Sequence, residues 1–186
     1  MNIQIKIDAD QVGEALREKF KAILGPGSQV FRKLALELIP MIHDRIHVEG
    51  KAADGTQIGT YSNGYLKLRT GNYGNATRVS RGKNKGKLKD AGTATKGKAA
   101  GSARQRFNRN SDPKVILSLT RQLENDYAVI ATEKGWGIGF NNTHNADKAR
   151  WNDKRYGHVI YELTKEELEY ASQRGSQLIE EALRTT

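Results

Sequence analysis

The run His43-Asp44-Arg45-Ile46-His47 sets two histidines at i and i+4. On a helix that spacing puts both imidazoles on one face, where they can hold a zinc ion. Zinc proteases of this pattern follow the first histidine with glutamate, whose longer arm reaches the metal-bound water; here Asp44 stands in its place. His144 and His158 sit in other contexts, so the sequence supplies no third ligand. The pair therefore reads as two surface histidines on a helix, without a metal site. A nuclease or toxin working through His43, His47 or His144 is the enzymatic alternative.

Other chemical signatures fail on their surroundings. Gly92-Thr93-Ala94-Thr95-Lys96-Gly97-Lys98-Ala99 comes close to a phosphate-binding loop, but Ala99 replaces the hydroxyl that would hold magnesium. No apolar strand leads into it and no helical pattern leaves it. Gly135, Gly137 and Gly139 alternate with Trp136, Ile138 and Phe140 as in a strand, where glycine signals close backbone packing. No Ser/His/Asp set or carboxylate pair can be assembled. Between residues 50 and 113 the only acids are Asp54, Asp90 and Asp112, and there is no histidine, so general acid–base work has no donor there. The expectation is a protein with no catalytic residues, no cofactor and no metal.

What the sequence does offer is charge. The chain carries a net +10 over 186 residues. Residues 50–113 hold fourteen Lys/Arg against three Asp/Glu, a net +11, while the remainder nets −1. Arg78, Arg81, Lys83, Lys85, Lys87, Lys89, Lys96, Lys98, Arg104, Arg106 and Arg109 are spaced by small residues. Cations spaced along a pliant chain track a phosphate backbone without reading bases. Only Tyr73 and Phe107 interleave as aromatics, too few for much base stacking. An acidic protein surface, or simple solubility, would also account for such a segment.

These cations need a frame to present them. Ile3, Ile5 and Ile7 alternate as in a short strand; Asp10 then caps a helix carrying Val12, Ala15, Leu16, Phe20 and Ile23, which Gly25-Pro26-Gly27 stops. Ser28 caps a second helix whose apolar stripe runs through Phe31, Leu34, Ala35, Leu38, Ile42 and Ile46, with a kink expected at Pro40 and an end at Gly50. The segment from Gly71 to Asn110 is too polar to offset its ordering entropy, while Tyr61, Tyr65, Leu66 and Leu68 form a cluster able to dock on the core. Order resumes at residues 115–119, and residues 127–132 and 136–140 read as a hairpin around Glu133-Lys134-Gly135. Residues 141–157 read as a polar connection and residues 158–163 as a strand. Thr164-Lys165-Glu166-Glu167 is a capping box, with Leu163 stapled to Leu168, opening a helix that buries Leu168, Ala171, Gly175, Leu178, Ile179 and Ala182.

The expected architecture is one α+β domain, a small antiparallel sheet packed by two to three helices, with a long basic glycine-rich insertion. Residues 1–50 supply a strand and two helices, 51–113 the basic flexible insertion, and 114–186 the hairpin, a strand and the C-terminal helix. The chain has no cysteine, so disulfides and thiolate metal sites are ruled out and a reducing compartment fits. No signal-peptide pattern opens it, and no apolar run approaches the roughly 20 residues that span a bilayer.

Three stretches together resemble the tail-completion, or virion-morphogenesis, proteins of tailed bacteriophages, neck components that join head to tail. They are Arg45-Ile46-His47-Val48-Glu49-Gly50 with Gly55 and Tyr61-Ser62-Asn63-Gly64-Tyr65-Leu66-Lys67; Ile116-Leu117-Ser118-Leu119-Thr120-Arg121-Gln122-Leu123-Glu124-Asn125; and Gly137-Ile138-Gly139-Phe140 with Ala149-Arg150-Trp151 and the final helix. Arg121 stands where that family often has glycine, the usual proline near Arg150 is missing, and the basic insertion is unusually long. The resemblance implies a structural virion protein forming a ring, often a hexamer, in contact with head-connector and tail-tube proteins and near genomic DNA. It also implies location in the virion neck or tail, after assembly in the host cytoplasm, with no membrane and no enzymatic activity. A stand-alone, non-sequence-specific nucleic-acid-binding protein is the alternative.

Overall fold

A computed structural model describes residues 9–25, 28–71, 81–83, 85, 100–102, 107, 109–133 and 135–185. The expected strand at residues 2–7 lies outside them, as do the side chains of Val12, Ala15 and Leu16. Helix α1 spans Ala9–Leu24, so Asp10 is already helical rather than a cap. Its Ile23 is buried, but Phe20 is 44% exposed and leaves the predicted stripe.

Helix α2, Gln29–His43, begins where Ser28 accepts from the Val30 N–H at 3.2 Å. Val30, Ala35, Leu38 and Ile42 recur at helical spacing and are buried. Pro40 lies inside α2, and within one turn of it the helix widens into a π-helical turn, Asp44–Glu49. Gly50 then closes that turn at φ 68°, and a Cβ on it would stand 2.4 Å from the Val115 carbonyl oxygen. Only glycine meets both demands.

The residues after Gly50 are part of the core. Ala52, Ile58 and Tyr61 are buried beside Leu38, Ile42, Ile46, Val115, Tyr127 and Ile160, and Tyr65 and Leu66 pack against them. Helix α3, Asn63–Thr70, which the sequence pattern missed, starts at the Ser62 cap. At residues 115–119 the chain is ordered, with Val115 wholly buried; beyond a single bridge between Thr60 and Lys114, Leu117 turns to φ 46° and ends the extended run.

Helix α4 (Gln122–Asp126) leads into the predicted hairpin of β1 (Tyr127–Thr132) and β2 (Gly135–Phe140), antiparallel with Tyr127 opposite Phe140. Close packing explains Gly139, whose Cβ would meet Ile130 at 3.1 Å; Gly135 instead takes φ 131° with open space around it. Residues 141–157 are chiefly helix α5, Thr143–Tyr156, capped by Asn142 and ended by left-handed Gly157. Residues 158–163 do not form a strand, although Ile160 is wholly buried there.

Helix α6, Lys165–Thr185, carries the capping box as predicted: Thr164 N–H donates to Glu167 Oε2 at 2.8 Å, and Glu167 N–H to Thr164 Oγ1 at 3.1 Å. Leu168 is 54% exposed, so it neither joins the buried face nor completes a staple. The inward position of that first turn belongs to Glu167, and Ala171, Gly175 and Leu178 continue its line. The fold is α+β: the two-stranded antiparallel sheet packs against α2, α4 and α5. Helices α1, α2 and α6 share a second apolar cluster around Ile23, Val30 and Leu178. Among the described residues no helix is long and apolar enough to cross a membrane.

Candidate anion-binding cleft

Arg81, Lys83 and Lys85 are exposed, as cations meant for an outside partner must be. Arg78, Lys87, Lys89, Lys96, Lys98, Arg104 and Arg106 lie outside the described residues. Arg109 differs from the expectation of a free surface cation. It is half-buried, and its Nε donates to the Leu119 carbonyl at 3.0 Å. Its backbone N–H donates to the Arg69 carbonyl, also at 3.0 Å. The chain that leaves α3 at residue 71 and the chain that returns at residue 109 are thus fastened at one point.

Arg69, on the last turn of α3, escaped the sequence reading and is only 2% exposed. Its Nη1 donates to the Ser118 carbonyl at 3.1 Å, its Nη2 to Asn110 Oδ1 at 3.3 Å, and its guanidinium lies 5.1 Å from the Tyr61 ring centre. The Nε of this buried arginine has no hydrogen-bond partner. No carboxylate pairs with it among the described residues. The other buried arginine, Arg45, shows the usual solution. It holds Glu167 at 2.8 Å through Nε and at 3.3 Å through Nη2, and donates to the carbonyls of Lys51, Ile160 and Glu162. Buried charge is expensive unless paired.

His43 and His47 are not the surface pair that their sequence suggested. His47 is 6% exposed, and the two rings meet edge to face at 5.5 Å. His47 Nδ1 lies 3.0 Å from the Ile116 carbonyl, which can only accept, so Nδ1 carries the proton and Nε2 is left with its lone pair. Burial, with a smaller push from His43, holds His47 below the ordinary histidine range; the Ile116 contact and Glu124 oppose this and lose. The Nε2 atoms of both histidines are buried without partners.

These groups share a cavity of about 620 Å³, lined by His43, His47, Arg69, Arg109, Ser118 and Glu124 among others. Glu124 is engaged at the wall by the Ser118 hydroxyl at 3.2 Å and by Arg121 at 4.0 Å. His144, the third histidine of the enzymatic alternative, is elsewhere: exposed on α5, 6.3 Å from the Trp151 ring. No cluster of three or more metal-ligating side chains occurs among the described residues. The cleft brings together two arginines that no carboxylate pairs with among the described residues and two histidines whose buried Nε2 atoms lack partners; the guanidinium donors suit an oxyanion. Sequence spacing could not reveal it, because the arginines and histidines come from three separate stretches of chain. Neither a family model, nor a curated protein, nor a solved structure matches this chain.

Proposed function

We propose that the chain is a structural virion protein of the tail-completion type. In this role a ring of copies at a phage neck joins head connector to tail, and each copy directs a cationic segment toward DNA or the connector. The supporting observation is the segregation of charge: a net +11 lies in residues 50–113, against −1 in the rest. The Arg109 N–H donates to the Arg69 carbonyl, which fastens the chain on either side of residues 72–108 at one point. Exposed Arg81, Lys83 and Lys85 suit a phosphate backbone. Arg121 adopts φ 58°, the left-handed conformation that glycine, common there in the resembled family, takes without strain. Exposed Val48, Trp151 and Leu168 are apolar surface of the kind that subunit contacts cover.

Light scattering with negative-stain microscopy of the purified chain tests this role, and rings or stacked rings are the expected result. A strictly monomeric chain that still binds DNA would replace it with a stand-alone nucleic-acid-binding protein. Substituting Trp151→Glu is expected to weaken the ring without unfolding the monomer, because the side chain is 59% exposed.

A further inference from the structure

We infer that the cleft lined by Arg69 and Arg109 is a phosphate-binding site, with these arginines as its fixed cations and His47 in its wall as the group whose protonation favours the ligand. It deepens the function proposed above only in naming nucleic-acid backbone as one source of the phosphate.

The contrast between the two buried arginines carries the argument. Arg45 has its counter-ion inside the fold, in Glu167. Arg69 is more deeply buried, borders an open cavity, and keeps Nε unpartnered. The carboxylates nearby do not answer it: Glu124 is bound by Ser118 and Arg121, and Asp44 is exposed at the rim. Neutral partners, the Ser118 carbonyl and the Asn110 amide, hold the guanidinium in place without cancelling its charge. An anion from outside would supply what Glu167 supplies to Arg45.

Proton linkage follows from the histidines. His47 lines the cleft with Nε2 buried and without a hydrogen-bond partner; a second proton there would add a positive charge to the cleft wall. Burial and His43 oppose that proton, and the Ile116 carbonyl and Glu124 favour it; Arg69, Arg109 and Asp44 line the same cleft. Tyr127 and Tyr161 pack against the two imidazoles and stay neutral, since burial pushes both phenols up, Tyr127 to about 12. A bound phosphate reverses the balance, so binding takes up a proton and tightens as pH falls, by up to about tenfold per pH unit for one proton.

The test is a titration of the full chain with inorganic phosphate, followed through the imidazole resonances of His43 and His47 at pH about 5.5 and about 7.5, either side of the ordinary histidine value. Saturable shifts are expected, tighter at the lower pH when affinity is referred to the phosphate monoanion, since the ligand itself takes up a proton over this range. Arg109→Gln should weaken binding at least about tenfold, the loss of one charge-assisted contact. Arg69→Lys keeps a cation where Arg69→Gln risks unfolding, and should bind weakly in the folded state. A short single-stranded oligonucleotide then identifies the source: competition with phosphate points to a nucleic-acid backbone, and no competition to a free phosphate. Unmoved His43 and His47 signals in the folded chain, or equal affinity in Arg109→Gln, would overturn the site. Saturable binding by a chain that forms no rings would sink the neck role and leave the site intact.

Discussion

Glu167 does two jobs with one carboxylate: it completes the capping box with Thr164 and neutralises Arg45. Glu167→Ala should therefore cost about 3–5 kcal/mol, the range for stranding a buried charge, and chemical denaturation would measure it. A loss below about 1 kcal/mol, the value of a cap alone, would mean that the ion pair contributes nothing. His47 makes stability depend on pH. Its folded-state value is depressed, so the unfolded chain takes up the proton first. The stability that neutral His47 contributes is complete above the ordinary histidine value of about 6.5 and drains away as pH falls through it. The melting temperature should drop from pH about 7.5 to about 5.5, and His47→Gln should flatten that drop. The capping box was legible from sequence because its partners are three residues apart. The Arg45–Glu167 pair was not, since 122 positions separate its members. The burial of His47 was equally hidden, because what covers it, Ile116 and Tyr161, arrives from distant chain.

Among the elements, those with a strong apolar period or a local stop signal were readable: α2 with Ser28, the hairpin with its short turn, α6 with its box. Helix α5 was not, because its buried residues are Asn145 and Ala149 and it shows no apolar stripe. The apolar run at 115–119 marked the return of order, and Val115 is wholly buried there, while Leu117 in the left-handed region overrides the β propensity of the run. At 158–163 alternation marked burial of Ile160 correctly and pairing wrongly, as no partner strand is adjacent among the described residues. The fastening of Arg109 to Arg69 makes a prediction at this scale. Replacing residues 73–107 with a short Gly/Ser linker should leave the melting temperature within a few degrees of the parent chain, read by calorimetry, because loop closure entropy changes slowly with length. Loss of cooperative unfolding would show that the excised residues carry part of the core.

For the molecule as a whole, charge segregation was fully legible, since it needs only counting, and the α+β class followed from the elements. The cleft was invisible, because convergence of Arg69, Arg109, His43 and His47 is a property of the tertiary fold. Together these features describe a chain whose excess positive charge is concentrated in one segment, and a cleft in which Arg69 and Arg109 have no carboxylate partner among the described residues. The most direct test is the affinity of the full chain for double-stranded DNA as salt rises from about 50 to about 200 mM, beside the variant lacking residues 73–107. If the segment engages six to ten phosphates, affinity should fall by about 10³- to 10⁵-fold, and the variant should lose nearly all of that slope. A flat response, or equal slopes in the two proteins, would contradict capture of the segment by a nucleic-acid polyanion.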